Sequence, residues 1–247
     1  MDVKLEPEQA TGTGRTEKEN AERQLLIALL ALTFVTGIVD AVSFLGLGHV
    51  FTANMTGNVV LLGFAVAGAS ELSVSRSSLS LVGFLAGAVF GGRLARVMIN
   101  TTRRRWIFTA GALEAVLLLV AAVVSSGLES AEQMPSRRIY AVIVLTAVAM
   151  GLRTATVRQL AVLDMTTTVL TQTLAAFAAE STLAGGTNPR LGRRVAAVLL
   201  MFAGAAMGML LLRYGLALPL VVGGVCVLGA SAYAAITAAP ERSSGMY

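Results

Sequence analysis

The chain has 247 residues, of which 55% are hydrophobic and 13% are charged, and its formal net charge is +5. Soluble domains carry about 25% charged residues, so this composition excludes a soluble fold and predicts an all-α integral membrane protein. The arginines lie beside apolar runs and read as topology signals, so the positive charge does not predict nucleic-acid binding.

The chain begins with a polar segment, residues 1–23, which is predicted to be a disordered cytoplasmic tail without a cleavable signal peptide. A single membrane domain is predicted over residues 24–238, and residues 239–247 form a C-terminal tail. Eight apolar segments make up the domain, and they lie at 24–45, 54–69, 79–99, 106–126, 139–158, 165–182, 192–213 and 216–238.

Two of these segments, 54–69 and 165–182, are short and carry polar residues. Hydropathy alone would assign residues 52–69 as a span, since they approach the roughly 20 apolar residues that a spanning helix needs. From the basic residues we predict about six transmembrane helices plus two re-entrant or interrupted segments. The alternative is seven or eight spans. With six spans and a cytoplasmic N-terminus, 15 basic residues fall inside and 4 outside, which agrees with the positive-inside rule.

The two halves of the domain match at three places, which predicts a pseudo-symmetric repeat over residues 24–126 and 139–238. Six spans would make the halves inverted, whereas eight would make them parallel. The matches are Gly37–Ala41 with Gly151–Ala155, Thr52 and Thr56 with Thr167 and Thr171, and Gly87–Gly91 with Gly204–Gly208, at offsets of 114, 115 and 117 residues.

A polar stretch within the first half, Phe51–Asn58, is the main candidate for a binding site. Hydrocarbon offers amides and hydroxyls no water, so each needs a partner inside the protein. The candidate substrate contacts there are Asn54, Thr56, Gly57 and Asn58, and those of the second half are Thr167, Thr168 and Thr171. The alternative is that these groups clamp helices or bond to carbonyls of their own helix.

Three charged residues are candidates for proton or charge coupling. Asp40 lies within the first span and is either a relay or a cap at an interrupted helix, because a carboxylate at membrane depth is costly. Glu114 is either a proton site or the partner of Arg153 or Arg93. Arg158 is either a charge partner for substrate or a cytoplasmic anchor.

Glycines spaced four apart predict close contact between helices, and they also offer a surface for a homo-oligomer. These glycines are Gly83, Gly87, Gly91, Gly204 and Gly208. No cofactor or metal is predicted, since one histidine and one cysteine make a poor ligand set. The motifs of nucleotide, hydrolase and metalloprotease sites are missing, so the chain is not predicted to be an enzyme.

The stretches Gly37–Phe44 and Phe51–Asn58 resemble the signature of the YoaK family, as do Ala155–Arg158 and Thr166–Thr171. The resemblance covers about residues 24–238. It implies a bacterial multi-pass cell-membrane protein with about six spans, and it implies no activity. The chain departs from the family pattern at Arg153-Thr154, where an amide pair is expected, and at Gln172, where glycine is usual.

Two functions are consistent with these features. The leading hypothesis is a small-solute transporter or channel in the lipid bilayer, with its site near the midplane between Asn54–Asn58 and Thr167–Thr171. The alternative is a membrane scaffold that transports nothing and assembles through its glycine faces. The two differ in whether the polar groups line a cavity.

Overall fold

The computed structural model describes residues 9–99, 101–127, 137–160, 170–187 and 191–237. All regular secondary structure in this part of the chain is helical. The helices are α1 (Gln9–Ala41), α2 (Met55–Val66), α3 (Val74–Val97), α4 (Arg103–Ser125), α5 (Arg137–Gln159), α6 (Leu170–Ala179), α7 (Leu191–Leu212) and α8 (Ala217–Thr237), with a π-helical turn at Val42–Gly46 and a 3-10 turn at Thr182–Ala184.

Six of these helices are long and apolar enough to cross a membrane, namely α1 from Arg23 onward, α3, α4, α5, α7 and α8. By contrast, α2 has 12 residues and α6 has 10. At 1.5 Å per residue they reach about 18 Å and 15 Å, well short of the roughly 30 Å hydrocarbon core. The predicted all-α membrane fold with about six spans is therefore confirmed, and the two short segments are the ones that the sequence singled out.

The first helix extends further toward the N-terminus than the sequence predicted. Residues 9–23 belong to α1, although they fall within the predicted disordered tail, and residues 1–8 lie outside the described part. The segment is rich in Glu, Lys, Ala and Arg, which are good helix formers. A helix that is already nucleated in the span extends through such residues at one hydrogen bond each.

Four helices, α1, α4, α5 and α8, form the centre of the bundle, and α3 and α7 lie outside it. The outer helix α3 packs on α5, and α7 packs on α1. In the spanning windows of α1 and α5, 61% of residues are buried, against 22% in α3 and 17% in α7. The outer two helices therefore present most of their apolar side chains to lipid.

The six spans alternate in direction along the chain. The first residues of α1, α4 and α7 therefore lie at the same end of the bundle as the last residues of α3, α5 and α8. We call this the basic end, because it carries Arg93, Arg96, Arg103, Arg104, Arg105 and Arg158. The opposite end, here the far end, holds the π-helical turn, the loop before α3 and the end of α4. The short helices lie at different ends, α2 at the far end and α6 at the basic end.

The glycines predicted to make close helix contacts do so within the chain. A Cβ on Gly87 or Gly91 would meet the backbone of α5, and one on Gly204 or Gly208 would meet the backbone of α1. Gly83 faces Ala147 of α5. These faces are thus occupied in the monomer, and a homo-oligomer, which stays a prediction, would use another surface.

Candidate functional site

The most unusual feature of the interior is an ion pair between Glu114 and Arg153. Glu114 lies halfway along α4, and Arg153 lies in the second half of α5. Nε of Arg153 donates to Oε1 of Glu114 at 2.6 Å, and its Nη2 also contacts that oxygen. The two side chains are 2% and 4% exposed. Of the two partners that the sequence allowed for Glu114, the structure selects Arg153.

The remaining donors of Arg153 reach the first helix. Its Nη1 donates to the carbonyl of Leu32 and to Oγ1 of Thr36, both at 2.8 Å. The Thr36 hydroxyl in turn donates to the Leu32 carbonyl at 2.9 Å. One guanidinium therefore joins α1, α4 and α5, and Thr36 is a site residue that the sequence analysis missed. Its one signal was its position one helical turn before Asp40.

A cavity of about 40 Å³ lies beside the ion pair, between α1, α4, α5 and α8. Glu114, Arg153, Thr156 and Ser231 supply its polar wall. Its apolar wall runs from the pair toward the basic end and consists of Leu25, Ala28, Leu29, Leu32, Ile107, Ala110, Gly111, Val157, Leu160, Ala230 and Ala234. A space of this size holds a few water molecules.

The far half of the same four helices is filled with apolar side chains. Val39 of α1, Val42 of the π-helical turn, Leu118 of α4, Ile143 of α5 and Leu220 of α8 are all fully buried there. The cavity therefore extends from the polar site toward the basic end, and the far half of the four helices is filled.

Asp40 lies at the end of α1, where the helix widens into the π-helical turn. It is 6% exposed. Its carboxyl group faces the backbone N–H groups of Ala53 and Asn54, and its charge also acts on Arg153. The Oδ1 atom has no hydrogen-bond partner among the described residues. Asp40 thus connects the first span to the segment before α2. This position corresponds to one of the two roles that the sequence analysis offered for Asp40, a cap at an interrupted helix.

The polar stretch before α2 is held together by hydrogen bonds to the backbone. Asn54 caps α2, because its Oδ1 accepts from the N–H of Gly57 at 3.3 Å. The buried Asn58 accepts from the N–H of Phe51 at 3.3 Å and donates to the carbonyl of Ser77 at 2.9 Å. Thr56 is exposed. The amides therefore fasten this segment onto itself and onto α3.

The second polar stretch is only partly described. Thr167 and Thr168 lie outside the described residues, and Thr171 is exposed on α6. Because α2 and α6 lie at different ends of the bundle, the structure does not bring Thr171 to the Asn54–Asn58 segment. The predicted shared cavity between the two stretches is not present among the described residues.

The two predicted cationic residues of α5 have different surroundings. Arg158 is exposed in the last turn at the basic end. Arg153, which the topology count placed with the cytoplasmic residues, lies inside the span and is paired. In the described part of the chain, no group of three or more His, Cys, Asp or Glu side chains is placed to hold a metal ion.

This fold and this buried pair define a multi-pass helical membrane protein with a charged centre. The chain belongs to the family described as Protein of unknown function (DUF1275), whose model matches residues 28–233. It is 38% identical over 157 residues to the UPF0700 transmembrane protein YoaK of Bacillus subtilis (strain 168). The aligned residues cover 64% of this chain and 66% of that relative. The predicted resemblance to the YoaK family is thereby confirmed. No solved structure matches the chain.

Proposed function

We propose that the protein transports a small solute across the bacterial cell membrane, and that the site is the Glu114–Arg153 pair at the inner end of the cavity. The observation that carries this proposal is a fully buried, hydrogen-bonded charge pair that borders a cavity between spanning helices. Ionisable residues inside a membrane protein are costly and typically mark a pathway for ions or solutes. The proposed role is transport and not catalysis.

The helix contacts support an inverted repeat, which is typical of secondary transporters. If α1 to α4 correspond to α5 to α8, the contact of α3 with α5 corresponds to that of α7 with α1. The contact of α4 with α5 then corresponds to that of α8 with α1. Each half has three spans, so the second half runs in the opposite direction.

The glycine contacts follow the same correspondence. Gly37 meets the backbone of α7 at Met201, and Gly151, 114 residues later, meets the backbone of α3 at Phe84. Gly91 and Gly208 behave alike, since each faces an alanine Cβ and a backbone carbonyl of its neighbour. These reciprocal contacts favour two related halves.

The proposed symmetry is broken at the charged pair. The position that corresponds to Arg153 in the first half, 114 residues earlier, is the fully buried Val39. One half thus contributes a guanidinium on the side that has the cavity, and the other contributes an apolar side chain on the closed side. We interpret the structure as a state that is closed at the far end and accessible from the basic end.

The chemistry of the pair indicates an anionic solute. Glu114 accepts the hydrogen bond from Nε of Arg153 and pairs with its Nη2, so an incoming carboxylate must replace it. When Glu114 takes up a proton that reaches it from the solution through the cavity it becomes neutral, and Arg153 is then free to bind the anion. A solute and a proton would enter together. The present cavity admits only a few atoms, so α1, α4, α5 and α8 must separate for a larger solute.

A flux assay on the full chain tests the proposal. The protein is reconstituted in vesicles that contain a pH-sensitive dye, and small amino acids and dicarboxylates are added outside one at a time. We expect at least one of them to acidify the lumen, and Glu114→Gln to abolish the response, because the amide cannot carry the proton. Glu71→Gln removes an exposed carboxylate outside the spans and should leave the response unchanged.

Two outcomes would contradict transport through this pair. One is that no solute acidifies the lumen in the native protein, which would favour the membrane scaffold. The other is that a response appears and survives Glu114→Gln at an equal amount of reconstituted protein, which would place the pathway elsewhere.

The basic end is proposed to face the cytoplasm, because most arginines lie there. Single cysteines at Ser73 and Ser126, in a Cys226→Ala background, should react with an impermeant maleimide on intact cells. A cysteine at Thr187 should react only after the cells are opened. Protection of positions 73, 126 and 187 alike on intact cells would mean that α2 and α6 both cross the membrane, contrary to the six-span arrangement.

A further inference from the structure

A second cavity, separate from the charged pair, lies at the basic end where α3 turns into α4. Its volume is about 260 Å³. Arg96 comes from the last turn of α3, Arg103 from the first residue of α4, and Gln159 from the end of α5. Two cationic side chains from different helices thus border one space at the level where a membrane meets water.

The two guanidiniums are available for a ligand. Both arginines are exposed, and within the described residues neither is paired with a carboxylate. Thr101 adds a hydroxyl to the wall. The indole of Trp106 also lines the cavity, and its Nε1–H is buried with no hydrogen-bond partner among the described residues. The side chains of Arg96, Arg103 and Trp106 offer hydrogen-bond donors, and among the described residues no carboxylate lines the cavity.

This arrangement suits a phosphate group. Guanidiniums bind phosphate oxygens with two parallel hydrogen bonds, and an indole N–H adds a further donor. The Thr101 hydroxyl donates to the carbonyl of Met98 at 2.7 Å. A residue such as Trp106 is typical of the membrane interface, where lipid head groups lie. Ile99, which is 78% exposed, forms part of the rim, and it continues into the lipid-facing surface of α3. An acyl chain can therefore lie along α3 while its head group enters the cavity.

We propose that the cavity between α3 and α4 binds the phosphate group of an anionic phospholipid. The arginines are more than topology signals in this proposal, because Arg96 and Arg103 converge on one space whereas Arg104 does not line it. Adjacent arginines should therefore differ sharply in their effect on lipid binding.

The test is native mass spectrometry of the purified full chain with phosphatidylglycerol in mixed micelles. Arg96→Gln and Arg103→Gln should each weaken binding about tenfold or more, since each removes a charge-assisted contact to phosphate. Arg104→Gln is the matched control, because it removes an equal charge one residue further along, and it should weaken binding no more than about fivefold, the effect of diffuse attraction from one surface arginine. Thermal unfolding without lipid confirms that the three variants fold alike.

Two further arms decide the source of the phosphate. Phosphatidylcholine, whose head group has no net charge, should bind more weakly than phosphatidylglycerol. If inorganic phosphate displaces the lipid at equal concentration, the site selects the phosphate ion itself and the lipid assignment is wrong. Equal losses in all three arginine variants would reveal only a diffuse attraction of basic residues to anionic lipid, and would overturn the proposed site.

Discussion

Replacing Arg153 with methionine is expected to destabilise the protein by about 3 to 5 kcal/mol, because Glu114 is left as an unpaired charge inside the bundle. The loss should come mainly from Glu114, since Thr36 keeps its own hydrogen bond to the Leu32 carbonyl. Unfolding by denaturant in mild detergent measures the change. Arg158→Met is the matched control on the same helix, and because Arg158 is exposed it should shift stability by less than about 0.5 kcal/mol.

A double variant distinguishes the effect of the two charges on stability from the effect of the shape of the side chains. Glu114→Gln with Arg153→Met removes both charges, and it should recover most of the stability that Arg153→Met alone loses. The coupling between the two positions should therefore reach about 2 to 3 kcal/mol, the upper part of the range for residues in contact. Additive effects of the two substitutions would show that the side chains do not interact in the folded protein. Recovery of stability without recovery of flux would indicate that the pair is retained for function.

Hydropathy together with the distribution of basic residues was enough to predict the spans of this fold. Hydropathy alone would have counted 52–69 as a span, whereas the basic residues favoured a re-entrant segment, and α2 is too short to cross. The start of α3 was less accurate, since the apolar run begins at residue 79 whereas the helix begins at Val74. Ser73 caps it, as its side chain accepts from the N–H of Arg76, so several serines before the apolar run are already helical.

The sequence alone could not identify the partner of Glu114. Arg93 and Arg153 are both arginines near an apolar run, and their sequence separation from Glu114 does not distinguish them. The choice depends on which helices are neighbours and on how far along each helix the side chain lies. In the structure α5 lies beside α4, whereas Arg93 is exposed on the outer helix α3. Helix order in a bundle is set by the fit of many side chains, which no single motif records.

The polar residues of Phe51–Asn58 were recognised as needing partners, but the partners themselves were not predictable. Asn58 bonds to two backbone groups, the N–H of Phe51 and the carbonyl of Ser77. The side chain of Ser80 donates to the carbonyl of Phe51 at 2.6 Å. Backbone carbonyls exist at every position, so the sequence cannot indicate which one an amide will use. The same polar pattern is thus consistent with a substrate site or with a clamp.

A larger residue at the glycine contact between α3 and α5 should destabilise the protein about as much as breaking the ion pair. A Cβ on Gly87 would meet the backbone carbonyl of Val148, and a backbone cannot turn aside as a flexible side chain does. Gly87→Leu is therefore expected to separate the two helices and to destabilise the protein by about 3 kcal/mol, at the upper end of the usual cost of overpacking. Gly151→Leu, which faces the carbonyl of Phe84 from the other side, should have a similar effect.

The control for this prediction lies on the same helix. Gly92 of α3 has no atom within 4 Å of its Cβ position, and leucine is a better helix former than glycine by roughly 1 kcal/mol. Gly92→Leu should consequently unfold at the same or a slightly higher denaturant concentration than the native protein. If Gly87→Leu and Gly92→Leu instead unfold at the same denaturant concentration, α3 does not lie against α5 at Gly87. One of the two equivalent helix contacts that favour inverted halves would then be absent.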